Sequence, residues 1–139
     1  MNPHTTNYYN SFIGIADDSV AAKGEIPPLK RDKKTVATIQ FDLIYKNPYQ
    51  FTSDDVLFQV FAERNELTDG EMDEAKKQFF SKGQPCLRAS SLTKRYGWGI
   101  HFDKDGKIAL YGAETEKYSQ FLGDKSLKRI KAVRSSKRI

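Results

Sequence analysis

The chain has 139 residues, 23 Lys and Arg against 18 Asp and Glu for a net charge of +5, one Cys and two His. That length suits a single domain able to bury a core without covalent staples, and one cysteine excludes an internal disulfide. No apolar run approaches the roughly eighteen residues of a membrane span and no secretory-type stretch opens the sequence, so a cytoplasmic protein with no membrane contact is expected.

The positive charge is unevenly placed. From Asp124 onward seven Lys or Arg stand against one Asp, leaving sixteen basic and seventeen acidic groups in residues 1–123. Basicity is therefore a carboxy-terminal property, and no aromatic-rich strand motif, zinc-ligand spacing or helix-turn-helix pattern accompanies it. A solvated end explains it more simply than a nucleic-acid interface. The alternative, weak electrostatic nucleic-acid contact through the C-terminus, predicts binding that fades steeply with salt.

In chain order, one α+β domain is expected over residues 7–134, with 1–6 and 135–139 as flexible termini. Tyr8, Tyr9, Phe12, Ile13 and Ile15 read as a first strand closing at Asp17-Asp18. Gly24 and Pro27-Pro28 mark a loop. Asp32 stands where an N-cap would, ahead of Val36, Ile39, Leu43 and Ile44 at helical spacing. Ile39, Phe41 and Leu43 also alternate as a strand would, so helix is the reading taken for residues 35–45 but strand stays open. Asn47-Pro48 ends that element.

Thr52 or Ser53 then caps a helix with Val56, Leu57, Val60 and Phe61 as its apolar stripe. Asp54 and Asp55 sit at its positive end, which explains the pair as dipole partners rather than catalytic carboxylates. Thr68 and Glu71 form a capping box for the next helix, with Leu67 stapled on Met72. Its stripe runs through Met72, Ala75, Phe79 and Phe80, and a left-handed Gly83 before Pro85 is expected to stop it.

Residues Trp98 to Leu110 carry the strongest local signal. Trp98, Ile100 and Phe102 alternate, as do Ile108 and Leu110, around a three-residue Lys104-Asp105-Gly106 loop with Gly106 in the left-handed position of a bulge. This register pairs Phe102 with Ile108, Ile100 with Leu110 and Trp98 with Gly112, placing the large apolar groups on one face. The other face holds Gly97, Gly99, His101, Ala109 and Tyr111, with Tyr111 across from Gly99; it is either packed by a second layer or an open shelf. Thr115 caps a short helix with Tyr118, Phe121 and Leu122 inward, ending at Gly123, and a last strand runs from about Leu127 to Val133.

Candidate chemistry is sparse. Cys86 is the only possible thiol nucleophile, and pairing with His101 would require the two to meet; a packed thiol is the plainer account. Arg88, Lys94 and Arg95 flank Tyr96 and Trp98, where they could receive an anion or simply lie over aromatic faces. Asp103-Lys104-Asp105-Gly106 lacks the remaining ligands of a calcium loop, the histidine and cysteine count leaves no zinc set, and no phosphate-cradle motif occurs; no metal or cofactor is expected.

The segments Tyr8 to Ile13, Asn47-Pro48-Tyr49, Thr52 to Val56, Phe79 to Ser90 and Lys94 to His101, together with Glu116 to Arg138, resemble a family of small uncharacterised bacterial proteins, a domain of unknown function, over nearly the whole chain. The resemblance implies a bacterial, cytosolic, single-domain protein and brings no activity or catalytic residue.

The resulting expectation is a mostly antiparallel sheet of four or five strands, the Trp98–Leu110 hairpin in its middle, with three or four helices packed on the Trp98 face. Functionally it is a binding or interaction module that holds a small anionic ligand or protein partner with His101, Tyr111, Arg88, Arg95, Cys86, Gly97 and Gly99. The alternative is a small enzyme using Cys86 or His101. Oligomeric state is open.

Overall fold

The computed structural model describes residues 4–135. Among them, a four-stranded mixed sheet lies between two unequal helical layers. Strand β1 (Ser11–Gly14) is followed by α1 (Val36–Tyr45), α2 (Ser53–Arg64), α3 (Met72–Phe79) and the one-turn α4 (Ser91–Lys94). The hairpin β2 (Trp98–Phe102) and β3 (Ile108–Gly112) comes next, then α5 (Glu116–Gly123) and β4 (Lys128–Lys131). The order across the sheet is β3-β2-β1-β4, antiparallel except where β1 meets β4. The α+β expectation holds. Of the expected flexible termini, 1–6 and 135–139, residues 1–3 and 136–139 lie outside the described residues, and Thr5 and Thr6 are hydrogen-bonded to Asp54.

The hairpin has the register its sequence dictates: Phe102 faces Ile108, Ile100 faces Leu110 and Trp98 faces Gly112. Gly106, at φ +79°, supplies the left-handed residue. Asp103 closes the loop, its Oδ1 accepting the N–H groups of Asp105 and Lys107 at 2.9 Å each. A hairpin in the middle of the sheet is corrected, because β3 is an edge strand and β1 and β2 form the centre. Residues 49–52 cover that edge. Tyr49 N–H donates to Ile108 O at 2.8 Å, and Ile108 N–H to Phe51 O at 2.9 Å, satisfying backbone groups that would otherwise invite another strand.

The main core lies where α1, α2 and α4 meet the face of Trp98, Ile100, Phe102, Ile108 and Leu110, around Ile39, Ile44, Val56, Leu87 and Leu92. Ile100 and Phe102 are sealed from solvent, each worth about 1.5–3 kcal/mol on transfer from water. Trp98 is sealed by a loop, since its indole N–H donates to Glu25 O at 2.8 Å and a Cβ on Gly24 would lie 2.8 Å from the ring.

Residues 36–45 are helical, which settles the helix-or-strand alternative, but the cap differs. Thr35, not Asp32, is the N-cap, forming a reciprocal box with Thr38. Asp32 instead sits in a tight turn at φ 62°, where Lys30 and Lys33 exchange hydrogen bonds. Thr52 caps α2 with Asp55. The Thr68–Glu71 box forms around a 3-10 turn that feeds α3. Gly83 does not stop α3, which ends at Phe79 with Phe80 as its cap, and Gly83 is not left-handed. The first strand is shorter than its aromatic run, because Asn10 turns left-handed at φ 47° just ahead of it.

Among the described residues no helix is long and apolar enough to cross a membrane.

Candidate functional site

Strand alternation sends Trp98, Ile100 and Phe102 to one side of the sheet and Gly99 and His101 to the other, as the sequence required. That other side is packed, not an open shelf. Helix α5 lies across it, and Tyr118 and Phe121 form a second core with Phe12. A Cβ on Gly99 would come within 2.5 Å of Phe12 and 2.6 Å of Tyr118, so this glycine exists for close packing. Gly97, at φ +76°, brings its Cα against Lys23 O, where a Cβ would stand at 2.1 Å. Neither glycine borders ligand space.

At the rim of this layer His101 and Tyr111 do come together, through a residue the sequence left unmarked. Tyr49 Oη lies 2.8 Å from His101 Nδ1 and 2.8 Å from Tyr111 Oη. The imidazole stacks on Phe121 with centroids 4.2 Å apart and planes 14° from parallel. Burial lowers the imidazole pKa from its ordinary value; Asp103 opposes this shift and Lys117 adds to it. Burial, then the hydrogen bond with Tyr111, raises the Tyr49 phenol. Tyr49 therefore remains a phenol at neutral pH, and its single proton serves one of the two contacts, Nδ1 or Tyr111 Oη, while its oxygen accepts the other. Only its left-handed backbone, φ 60°, betrays Tyr49 as a specially held residue.

Cys86 is elsewhere. Its Sγ lies 3.5 Å from Tyr8 Oη, and Tyr8 packs edge-on against Phe102 in the core on the helical side. Because Phe102 and His101 point to opposite faces, thiol and imidazole are separated by the sheet. Arg88 braces β4, donating from Nε to Lys131 O at 2.8 Å while its own carbonyl accepts from Val133 N–H at 2.8 Å. Arg95 is exposed beyond the end of α4. The seven expected site residues thus divide among the rim, the two closely packed glycines, the β4 edge, the exposed end of α4 and one cleft.

That cleft, of about 600 Å³, opens between α1, α2 and the segment from Gln84 to Ser91, with Cys86 in its wall. Val36, Leu57, Val60, Phe61, Phe79 and Leu87 give it an apolar lining, and polar groups enter at a few points. Phe61 belongs to the expected α2 stripe yet stays 36% exposed, because its outer side faces the cleft and no other layer covers it.

Gln40 is the decisive polar group. It is only 4% exposed and lies on the α1 face that carries Val36 and Ile44, one turn to either side. Its Oε1 accepts from Ser90 Oγ at 2.6 Å, and Ser90 Oγ in turn accepts from Leu92 N–H at 3.1 Å. No partner for its amide nitrogen occurs among the described residues, and that nitrogen is not walled off. Gln40 itself lines the cleft. Arg64 lines the same space at the end of α2 and joins no ion pair among the described residues. Asn65 and Gln84 each donate one amide N–H, to Phe61 O and Phe79 O respectively. No Asp or Glu lines the cleft.

Gln40, Arg64 and Phe61 went unmarked as site residues in the sequence. One signal was there for Gln40: an amide at an inward helical position flanked by apolar neighbours four residues away on both sides. No group of three or more His, Cys, Asp or Glu comes together as a metal site among the described residues.

No curated protein and no solved structure matches this chain. A family model described as a family of unknown function, DUF6157, matches residues 3–138, and the chain belongs to that family.

Proposed function

We propose that this protein is a binding module for a small molecule with an apolar body and a carboxylate, taken into the cleft beside Cys86. The single observation that carries this is Gln40, 4% exposed, which lines the apolar cleft with an accessible amide nitrogen that has no protein partner among the described residues. A donor left open in the wall of an apolar cleft, rather than spent inside the protein, is available to whatever fills that cleft. Arg64 at the mouth and the lack of acidic lining set the sign of the ligand. The apolar walls set its body.

The anionic ligand expected from the sequence is thereby kept, while its place moves from the His101 face to the Cys86 cleft. A bacterial, cytosolic setting suits this proposal, since a reducing compartment keeps the lone thiol free.

Titration with phenylbutyrate, followed by amide and side-chain NMR shifts, tests it. Shifts should centre on the Gln40 side-chain N–H pair and on Ser91 and Arg64, weaken about tenfold or more in Arg64→Glu, and be missing with phenylbutylamine. Equal response to the amine, or shifts mapping to the α5 side of the sheet, would overturn the proposal.

A further inference from the structure

Cys86 is half-buried in the cleft wall, so its sulfur is reachable from that space. Tyr8 Oη is 3.5 Å from its sulfur. Contact with Cys86, then burial, raises the Tyr8 phenol, while Arg88 acts to lower it, so Tyr8 keeps its proton and can donate to an anionic sulfur. Lys128 stands 5.9 Å over the Tyr8 ring. Positive charge thus stands beside Tyr8, the thiol's neighbour, and Arg64 lines the same cleft as Cys86.

We propose that Cys86 is a site of reversible S-thiolation, selective for small disulfides whose arms carry carboxylates. This rests on the cleft being a carboxylate site, and adds to it a covalent step. Two independent features point the same way: a thiol in the wall of the cleft, and in the same wall the Gln40 amide nitrogen, accessible and without a protein partner among the described residues. One arm of the disulfide lies along the apolar wall with its carboxylate on Gln40 and Arg64, which presents its sulfur to Cys86.

The chemistry balances without another reactant. Cys86 loses its proton to solvent, and the thiolate attacks the nearer sulfur of the disulfide in line with the S–S bond. That bond breaks, a new S–S bond forms to Cys86, and the far arm departs as a thiolate that takes up a proton. Cys86 sulfur is oxidised and the departing sulfur reduced. A second thiol from solution reverses the step.

Three disulfides of similar size separate the idea from plain thiol exposure: dithiodipropionate, neutral hydroxyethyl disulfide and cationic cystamine. Intact-mass spectra of the full chain over time give the rate of adduct formation at Cys86 with each. The native protein should react with dithiodipropionate about tenfold faster than with hydroxyethyl disulfide, and slowest with cystamine. Arg64→Glu, an exposed substitution that leaves the core untouched, should abolish or invert that order, and chain unfolded in urea should lose most of it. Equal rates in the native protein, an order unchanged by Arg64→Glu, or adducts that form only after unfolding would each overturn the inference.

Phenylbutyrate titration of Cys86→Ser keeps the two readings apart. Binding by this variant, in a protein whose thiol shows no selectivity, removes S-thiolation and leaves the carboxylate cleft standing. Loss of binding in both the parent and the variant removes both.

Discussion

Tyr49 Oη stands 2.8 Å from Nδ1 of His101, a contact that ties the α1–α2 connection to the centre of the sheet. The same hydroxyl meets Tyr111 Oη, and the Tyr49 backbone N–H pairs with Ile108, so one left-handed residue holds the edge of β3 by both main chain and side chain. Tyr49→Phe keeps the ring and the backbone bond but removes both hydroxyl contacts. With His101 and Tyr111 half-buried and able to recruit water, a loss of about 1–2 kcal/mol is expected in urea unfolding. A loss below a few tenths would mean that the hydroxyl network contributes nothing to the fold.

Protonation of His101 sets a pH dependence with a definite sign. Burial holds its folded-state pKa below the ordinary 6.5. The unfolded chain therefore binds more protons than the folded chain between those two values. Stability is full above pH 6.5, falls as pH drops through that value, and levels off below the folded-state value. Asp103 and Asp124 favour the charged form of the ring, Lys117 opposes it, and Tyr49 remains a neutral phenol. Parallel unfolding curves at pH 7.5 and about 5.5, a span chosen to avoid the carboxylates, should show a smaller pH-dependent loss in His101→Gln than in the parent. An identical loss in both would assign the slope to another group.

Local rules recovered what was local. The Lys104–Gly106 loop, the Thr52 cap and the Thr68–Glu71 box each involve residues within a few positions of one another, and propensity and side-chain chemistry determine them. Sheet order did not follow, because β4 joins β1 across more than a hundred residues and turn chemistry says nothing about such a pairing. For the same reason α5 over Gly99 appeared in the sequence only as one of two options for that face. The cleft was half legible: Cys86 stood out as the sole thiol, whereas Gln40 and Arg64 gain meaning only once α1 and α2 are set side by side.

Two glycines offer opposite outcomes for the same substitution. Gly97→Ala would force a Cβ to within 2.1 Å of Lys23 O at a backbone φ of +76°, so both strain and a collision with main chain resist it. A cost of about 3 kcal/mol or more is expected, with the Trp98 loop displaced and indole fluorescence shifted to the red. Gly70, in the turn between Thr68 and Glu71, meets nothing within 4 Å. Alanine there should raise stability by about 0.4–1 kcal/mol through a less flexible unfolded chain. If both variants were neutral, close packing of the Lys23–Glu25 loop on β2 would be refuted.

Asp54 does more than favour the start of α2. Its carboxylate accepts Thr6 N–H and Thr6 Oγ–H on Oδ1 and Thr5 Oγ–H on Oδ2, each at 2.7 Å, and its backbone N–H donates to Asn7 Oδ1 at 2.9 Å. Thr6 spends its single hydroxyl proton on Asp54, so the 2.8 Å contact with Ser53 is donated by Ser53. Residues 5–7 are thereby clamped to a helix nearly fifty positions away, with Asp54 only 6% exposed. Asp54→Asn preserves shape and the acceptor at Oδ1 but turns an N–H pair toward Thr5 and removes the charge that strengthens all three bonds. Charge-assisted hydrogen bonds are worth about 1.5–3 kcal/mol, so the Thr6 amide should exchange its hydrogen at least about tenfold faster in the variant. Amides in β2 should remain as protected as before, because α2 keeps its Thr52–Asp55 cap. Unchanged exchange at Thr6 would show that the clamp is held by shape and neutral hydrogen bonds rather than by the carboxylate charge.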